Sequence, residues 1–129
     1  MRTVKNHNTL TNFKAELLAQ QQLDLFESLP KRPYCMDEKP GYMLIRSKVI
    51  AVKKPYIQIN SPTTTIYFVF DDDKNDAALS WFDANLPAPY WTTQNPDNGR
   101  CHHCYKLEIP LHTSEFSSIK AIKYAQAVY

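Results

Sequence analysis

The chain has 129 residues, 43% of them hydrophobic and 22% charged, with a formal net charge of +2. That length is enough for one domain with a real core, and the charge is too small by itself to argue for a nucleic-acid partner. With only Gly41 and Gly99, the chain has no glycine-rich phosphate loop and no dinucleotide fingerprint. No apolar run is long enough to span a membrane, and the polar start Met1-Arg2-Thr3-Val4-Lys5-Asn6-His7 lacks the apolar core of a signal peptide. A cytoplasmic protein with three reduced cysteines, Cys35, Cys101 and Cys104, is expected.

In chain order, residues 1–9 are polar and expected to fray. Leu10, Phe13, Leu17, Leu18, Leu25 and Phe26 follow a helical period over 10–29. Thr11 or Asn12 is available to cap the helix, Gln20-Gln21-Gln22 is a candidate break, and Pro30 is a stop. Pro30, Pro33, Pro40 and Gly41 punctuate a loop. Residues 42–52 alternate loosely and predict one or two short strands. Tyr56-Ile57-Gln58-Ile59-Asn60 is a cleaner strand, ended by Ser61-Pro62. The run Thr65-Ile66-Tyr67-Phe68-Val69-Phe70 follows closely enough to predict an antiparallel hairpin with it at the centre of a sheet. A short helix is expected over 77–85 with Leu79 and Phe82 buried. Leu86-Pro87-Ala88-Pro89 forms a connector, Tyr90-Trp91-Thr92-Thr93 a strand, and Asn95-Pro96-Asp97-Asn98-Gly99 a turn. Residues 101–111 form the next strand. A helix capped by Thr113 or Ser114 runs to Tyr129, carrying Phe116, Ile119, Ile122 and Val128. Helices flanking an antiparallel or mixed sheet make this an α+β chain. It is read as a single domain, 1–129. The last helix has no stop signal, so the polypeptide is expected to continue past Tyr129.

The strand 65–70 runs straight into Asp71-Asp72-Asp73. If strand geometry persists, Asp71 and Asp73 share one face and Asp72 takes the other. Two carboxylates on one face suit a hard cation such as Mg²⁺ or Mn²⁺. The same three residues also read as a solvated turn opening the next helix. Charge is segregated along the chain. Seven basic residues (Lys31, Arg32, Lys39, Arg46, Lys48, Lys53, Lys54) precede an acidic cluster of Asp71, Asp72, Asp73, Asp76 and Asp83. A polyanion tracked by lysines near metal-bound carboxylates fits that order, and so does an unpartnered charged surface.

Cys101-His102-His103-Cys104 offers four metal ligands in a row. On a strand, however, Cys101 and His103 face one way and His102 and Cys104 the other, and four adjacent residues cannot surround a tetrahedral ion. The cysteines are read instead as small buried hydrophobes. One of the two histidines should share a face with Asp71 and Asp73 if the two strands are neighbours.

Four stretches occur in a telling order: Tyr56-Ile57-Gln58-Ile59-Asn60-Ser61-Pro62; Val69-Phe70-Asp71-Asp72-Asp73; Ala84-Asn85-Leu86-Pro87-Ala88-Pro89-Tyr90-Trp91; and Asn95-Pro96-Asp97-Asn98-Gly99-Arg100-Cys101-His102. Together they resemble the replicase (replication initiator) family of colicin-type plasmids and related phages, in the archaeo-eukaryotic primase–polymerase superfamily. The likeness spans about residues 56–112 and weakens toward the N-terminus. It implies that Asp71 and Asp73 are the acidic pair that binds the catalytic Mg²⁺ or Mn²⁺ ions. It also implies that His102 is the motif histidine contacting the incoming triphosphate. Arg100 stands where the family often has a further histidine, and a cation there still suits a phosphate. His103 falls where the family commonly has an apolar residue. The superfamily's third motif, a later aspartate, has no counterpart after His112. The chain is therefore expected to be the N-terminal portion of a primase–polymerase domain, weak in metal or nucleotide binding and inactive alone.

The implied function is metal-dependent, template-directed nucleotidyl transfer making a primer at a replication origin. Its partners would be a DNA template, nucleoside triphosphates and a host replication polymerase. Lys48, Lys53 and Lys54 would follow the template backbone. The competing reading is a non-catalytic module that binds single-stranded nucleic acid through the basic segment and aromatics such as Tyr90 and Trp91.

Overall fold

The computed structural model describes the backbone of residues 4–128 and side chains from residue 14. The chain divides into two compact units, Met1–Ile59 and Asn60–Tyr129. Helices and two small antiparallel sheets make it α+β, as the sequence predicts.

In the first unit, helix α1 (Val4–Ser28) is unbroken, so Gln20-Gln21-Gln22 does not divide it. The helix begins well before Thr11 and Asn12, and neither residue caps it. Residues 4–9 are its first turns rather than a frayed end, while residues 1–3 lie outside the described residues. Polar side chains such as Gln are good helix formers, so the polar run costs the helix little. A three-stranded sheet follows, with β1 (Tyr34–Met36) between β2 (Leu44–Ile45) and β3 (Tyr56–Ile57). Cys35 is its buried centre, paired with Leu44 on one side and Ile57 on the other. Residues 42–52 hold one strand and then helix α2 (Lys48–Ala51), whose Ala51 is fully buried.

In the second unit, β6 (Cys101–His112) is the central strand, flanked by β4 (Thr64–Asp72) and β5 (Trp91–Gln94), all antiparallel. The expected hairpin between residues 56–60 and β4 does not form. Tyr56 and Ile57 pair with β1 instead. The outer edge of β4 is met by a side chain: Asn60 Oδ1 accepts from the Ile66 and Tyr67 amides (2.8 and 3.0 Å), and its Nδ2 donates to the Tyr67 carbonyl (2.7 Å). One amide side chain thus satisfies three edge groups that a neighbouring strand would otherwise have to meet. The Tyr67 ring is almost fully buried, 4.7 Å from the Trp91 ring.

A single 3₁₀ turn (Ala77–Leu79) leads into the short helix α3 (Ser80–Asp83). Its buried residue is Ala77, whereas Leu79 and Phe82 are 63% and 69% exposed, the reverse of the expected face. The 3₁₀ start changes the period, so Ala77 and Ser80 meet the sheet. Helix α4 (Ile119–Val128) starts later than predicted, with Ser118 rather than Thr113 or Ser114 at its entry. Phe116 therefore lies outside it and is 92% exposed. The expected end at Tyr129 lies outside the described residues.

Candidate functional site

The site forms where the C-terminal end of β4 meets the N-terminal end of β6. Register places Asp71 directly opposite His102, and Asp72 opposite Cys101. One step beyond the paired residues, Arg100 comes opposite Asp73. Cross-strand partners share a face, so each exposed acid meets one cationic or imidazole group. His102 Nε2 lies 3.4 Å from Asp71 Oδ1, and Arg100 Nη1 lies 3.2 Å from Asp73 Oδ1. All four side chains are more than half exposed. The structure thus brings together Asp71, Asp73, Arg100 and His102.

The alternation that turns Asp71 outward turns Asp72 inward, toward a polar network beneath the strand end. Asp72 Oδ2 accepts from the Ser80 hydroxyl (2.5 Å), and Oδ1 accepts from the Lys74 amide (3.1 Å). The Ser80 hydrogen bond, followed by the Lys74 amide, holds its carboxyl below the ordinary value of 3.8. Its neighbour in the network is His103, only 5% exposed. His103 Nε2 reaches the Ala77 carbonyl (3.1 Å) and Ser80 Oγ (3.2 Å), and Nδ1 meets Thr92 Oγ1 (3.0 Å). A carbonyl only accepts, so Nε2 carries a proton. Asp72, Ser80 and His103 are the residue types of a hydrolytic triad, but the acid binds the serine instead of orienting the histidine. The arrangement is a structural tie between β4, β5, β6 and α3.

Gly99 sets the approach of Arg100. Its φ is +73°, and a Cβ there would lie 2.5 Å from the Asp76 amide nitrogen. Its carbonyl accepts from the Ala77 amide (3.0 Å). The turn before β6 is thereby pressed against the segment that follows Asp73.

Cys101 and Cys104 are buried on β6, and all three cysteines are free thiols. Burial pushes the Cys104 thiol up to about 11 and also raises Cys101, where the charges of Asp72 and Asp76 add to the effect. Among the described residues, no group of three or more His, Cys, Asp or Glu side chains is placed to hold a metal. Mg²⁺ or Mn²⁺ asks for less from the protein: one or two carboxylates, with substrate phosphates and water completing the shell. Asp71 and Asp73 fit that requirement in donor type and exposure.

The lysines assigned to the template belong to the first unit. Lys48 Nζ donates to the Phe26 carbonyl (3.2 Å) and lies 4.7 Å from the Phe26 ring centre. Lys54 pairs with Asp37 at 2.6 Å. Lys53 is exposed. Tyr90 and Trp91 are half-buried, with Trp91 packed on Tyr67 and Tyr90 beneath Lys106. Ser80 and Thr92 are the residues that sequence reasoning did not connect to the site, and Gly99 entered it only within the stretch that leads to Arg100 and His102. Its signal was the Asn-Gly turn, and Ser80 and Thr92 carried none.

An acid-ended strand aligned with a strand that begins in Arg-x-His, on an α+β scaffold, defines an exposed charged site built by β-sheet register. Comparison with known families gives the identity: the model of the Replicase family matches residues 28–129. The chain belongs to the replicase family, which makes it a replication protein and, in kind, a replication enzyme. The match begins earlier than the likeness seen over 56–112 and takes in the part of the first unit that follows α1. Neither the curated proteins nor the solved structures contain a match.

Proposed function

We propose that this chain is the N-terminal portion of the domain with which a plasmid or phage replication initiator carries out metal-dependent, template-directed nucleotidyl transfer, producing a primer at a replication origin. The observation that carries the proposal is the alignment of Asp71 with His102 and of Asp73 with Arg100 at one strand end, in a replicase-family chain. Asp71 and Asp73 would hold Mg²⁺ or Mn²⁺. When bound, the ion supplies Lewis-acid stabilisation of charge on the transferring phosphate and favours ionisation of the attacking hydroxyl. Arg100 and His102 donate N–H groups to the triphosphate oxygens and fix the orientation of the nucleotide. The tie through Asp72, Ser80 and His103 keeps the strand ends in register, so the outward groups hold their spacing. Lys53, with Lys48 and Lys54, contacts template phosphates, and a host replication polymerase extends the primer.

On this chain the test is Mn²⁺-dependent binding of a nucleoside triphosphate, expected to vanish in Asp71→Asn and Asp73→Asn. In a replicase chain that also carries the third acidic motif, either change should lower primer synthesis at least about 100-fold, the scale of losing one key electrostatic group. Undiminished synthesis would refute the assignment. Metal-independent, salt-sensitive binding of single-stranded DNA would instead favour a non-catalytic module.

A further inference from the structure

Each acid of the site faces a nitrogen donor, Arg100 at Asp73 and His102 at Asp71, and the proposed function requires all four side chains to change partner. The carboxylates that would hold a divalent cation are already facing Arg100 and His102 at 3.2 and 3.4 Å. The same Arg100 and His102 would face a triphosphate. We propose that Arg100, as the counter-ion of Asp73, and His102, as the ring-nitrogen partner of Asp71, are displaceable, so that triphosphate binding frees the carboxylates for the cation and cation binding frees the donors for the triphosphate. This inference rests on the metal-site reading above and adds a regulatory property to it: the two ligands bind interdependently.

The physical basis is exchange of partners. A cation arriving alone must displace Arg100 from Asp73 and His102 from Asp71 and leave both without an anion. A triphosphate arriving alone leaves two neighbouring carboxylates uncompensated beside its own negative charge. Together the ligands satisfy all four groups, so each raises the affinity of the other by the same factor. Each pair is solvent-exposed, which keeps the effect modest. Exposed ion pairs contribute little and are screened by salt, so each pair accounts for about a two- to fivefold factor. Free divalent cations thereby bind the site more weakly than they do when the nucleotide is present.

The test separates this property from the metal site itself. Mn²⁺ alone, without nucleotide, is titrated into the 129-residue chain and into Arg100→Gln, His102→Gln, Lys123→Gln and Asp71→Asn, and binding is read by calorimetry or by the Mn²⁺ spin signal. Lys123, an exposed lysine of α4, gives the same loss of one positive charge away from the pairs. Arg100→Gln and His102→Gln are expected to bind Mn²⁺ about two- to fivefold more tightly, with the gain fading at high salt. Lys123→Gln should match the wild type, and Asp71→Asn should abolish binding. If binding depends on Asp71 but neither Arg100→Gln nor His102→Gln tightens it, the counter-ion role falls and the metal site stands. An equal gain in Lys123→Gln reduces the effect to net charge and also overturns the role. Binding that persists in Asp71→Asn, or none in any variant, overturns the metal site and the inference with it.

Discussion

His103 and His102 are adjacent in sequence, yet the pleat assigns them opposite work. His102 faces Asp71 in solvent, while His103 is enclosed by Ala77, Ser80 and Thr92. His103→Ala removes the shared partner of Thr92 and Ser80 and opens a cavity. It should cost about 2–4 kcal/mol of stability, read by denaturant unfolding. His102→Ala, at an exposed position, should change stability by less than about 0.5 kcal/mol while weakening nucleotide binding. Cys104 gives a pH prediction. A buried thiol raised to about 11 stays protonated in the folded chain, whereas the unfolded chain loses that proton near 9.0. Stability is therefore intact below pH 9.0 and declines as pH rises through about 11. A melting series over that range, compared with Cys104→Ser, checks it. Asp72 acts at the other end of the scale. Its lowered carboxyl stabilises the fold above 3.8, and the contribution disappears as pH falls through the folded value.

At the scale of elements, β6 organises the second unit, because it is paired on both edges and carries the site at its first residues. What aims those residues is the turn before it. Gly99→Ala would force a side chain into the left-handed region and within 2.5 Å of the Asp76 amide. A cost of about 1–3 kcal/mol is expected, along with weaker nucleotide binding, because Arg100 loses its position opposite Asp73. Binding that survives intact in a destabilised Gly99→Ala protein would show that the turn supports the fold alone. Asn60 plays the corresponding part on the outer edge of β4. Its three hydrogen bonds to the strand replace a pairing that the alternating pattern of residues 56–60 had suggested.

At the scale of the molecule, basic residues concentrate in the first unit and the acidic site lies in the second. The net charge of +2 hides that separation. If Lys48, Lys53 and Lys54 each meet a phosphate of single-stranded DNA, the logarithm of affinity should fall with the logarithm of salt at a slope of about −2. Lys53→Gln should shrink that slope most, because Lys48 and Lys54 already have protein partners, the Phe26 carbonyl and Asp37. A fluorescence-anisotropy salt series would measure it. An unchanged slope would move the template contact elsewhere.

The sequence by itself determined β4, β5 and β6, the family and the outward acidic pair, whereas β1 (Tyr34–Met36), the centre of the first sheet, lies in the stretch read as a proline-punctuated loop. Polarity period, turn chemistry and motif order are local properties that side-chain type alone encodes. Asp71, Asp73 and His102 were legible because strand alternation is fixed at two residues, whatever the strand pairs with. Tertiary structure alone decided the pairing: that Tyr56 and Ile57 join β1 rather than β4, that Ala77 and Ser80 rather than Leu79 and Phe82 meet the sheet, and that Asp72 reaches Ser80. Those outcomes depend on which distant backbone groups remain to be satisfied once each unit closes. An asparagine side chain or a 3₁₀ turn can redirect that balance without leaving a trace in the hydrophobic pattern.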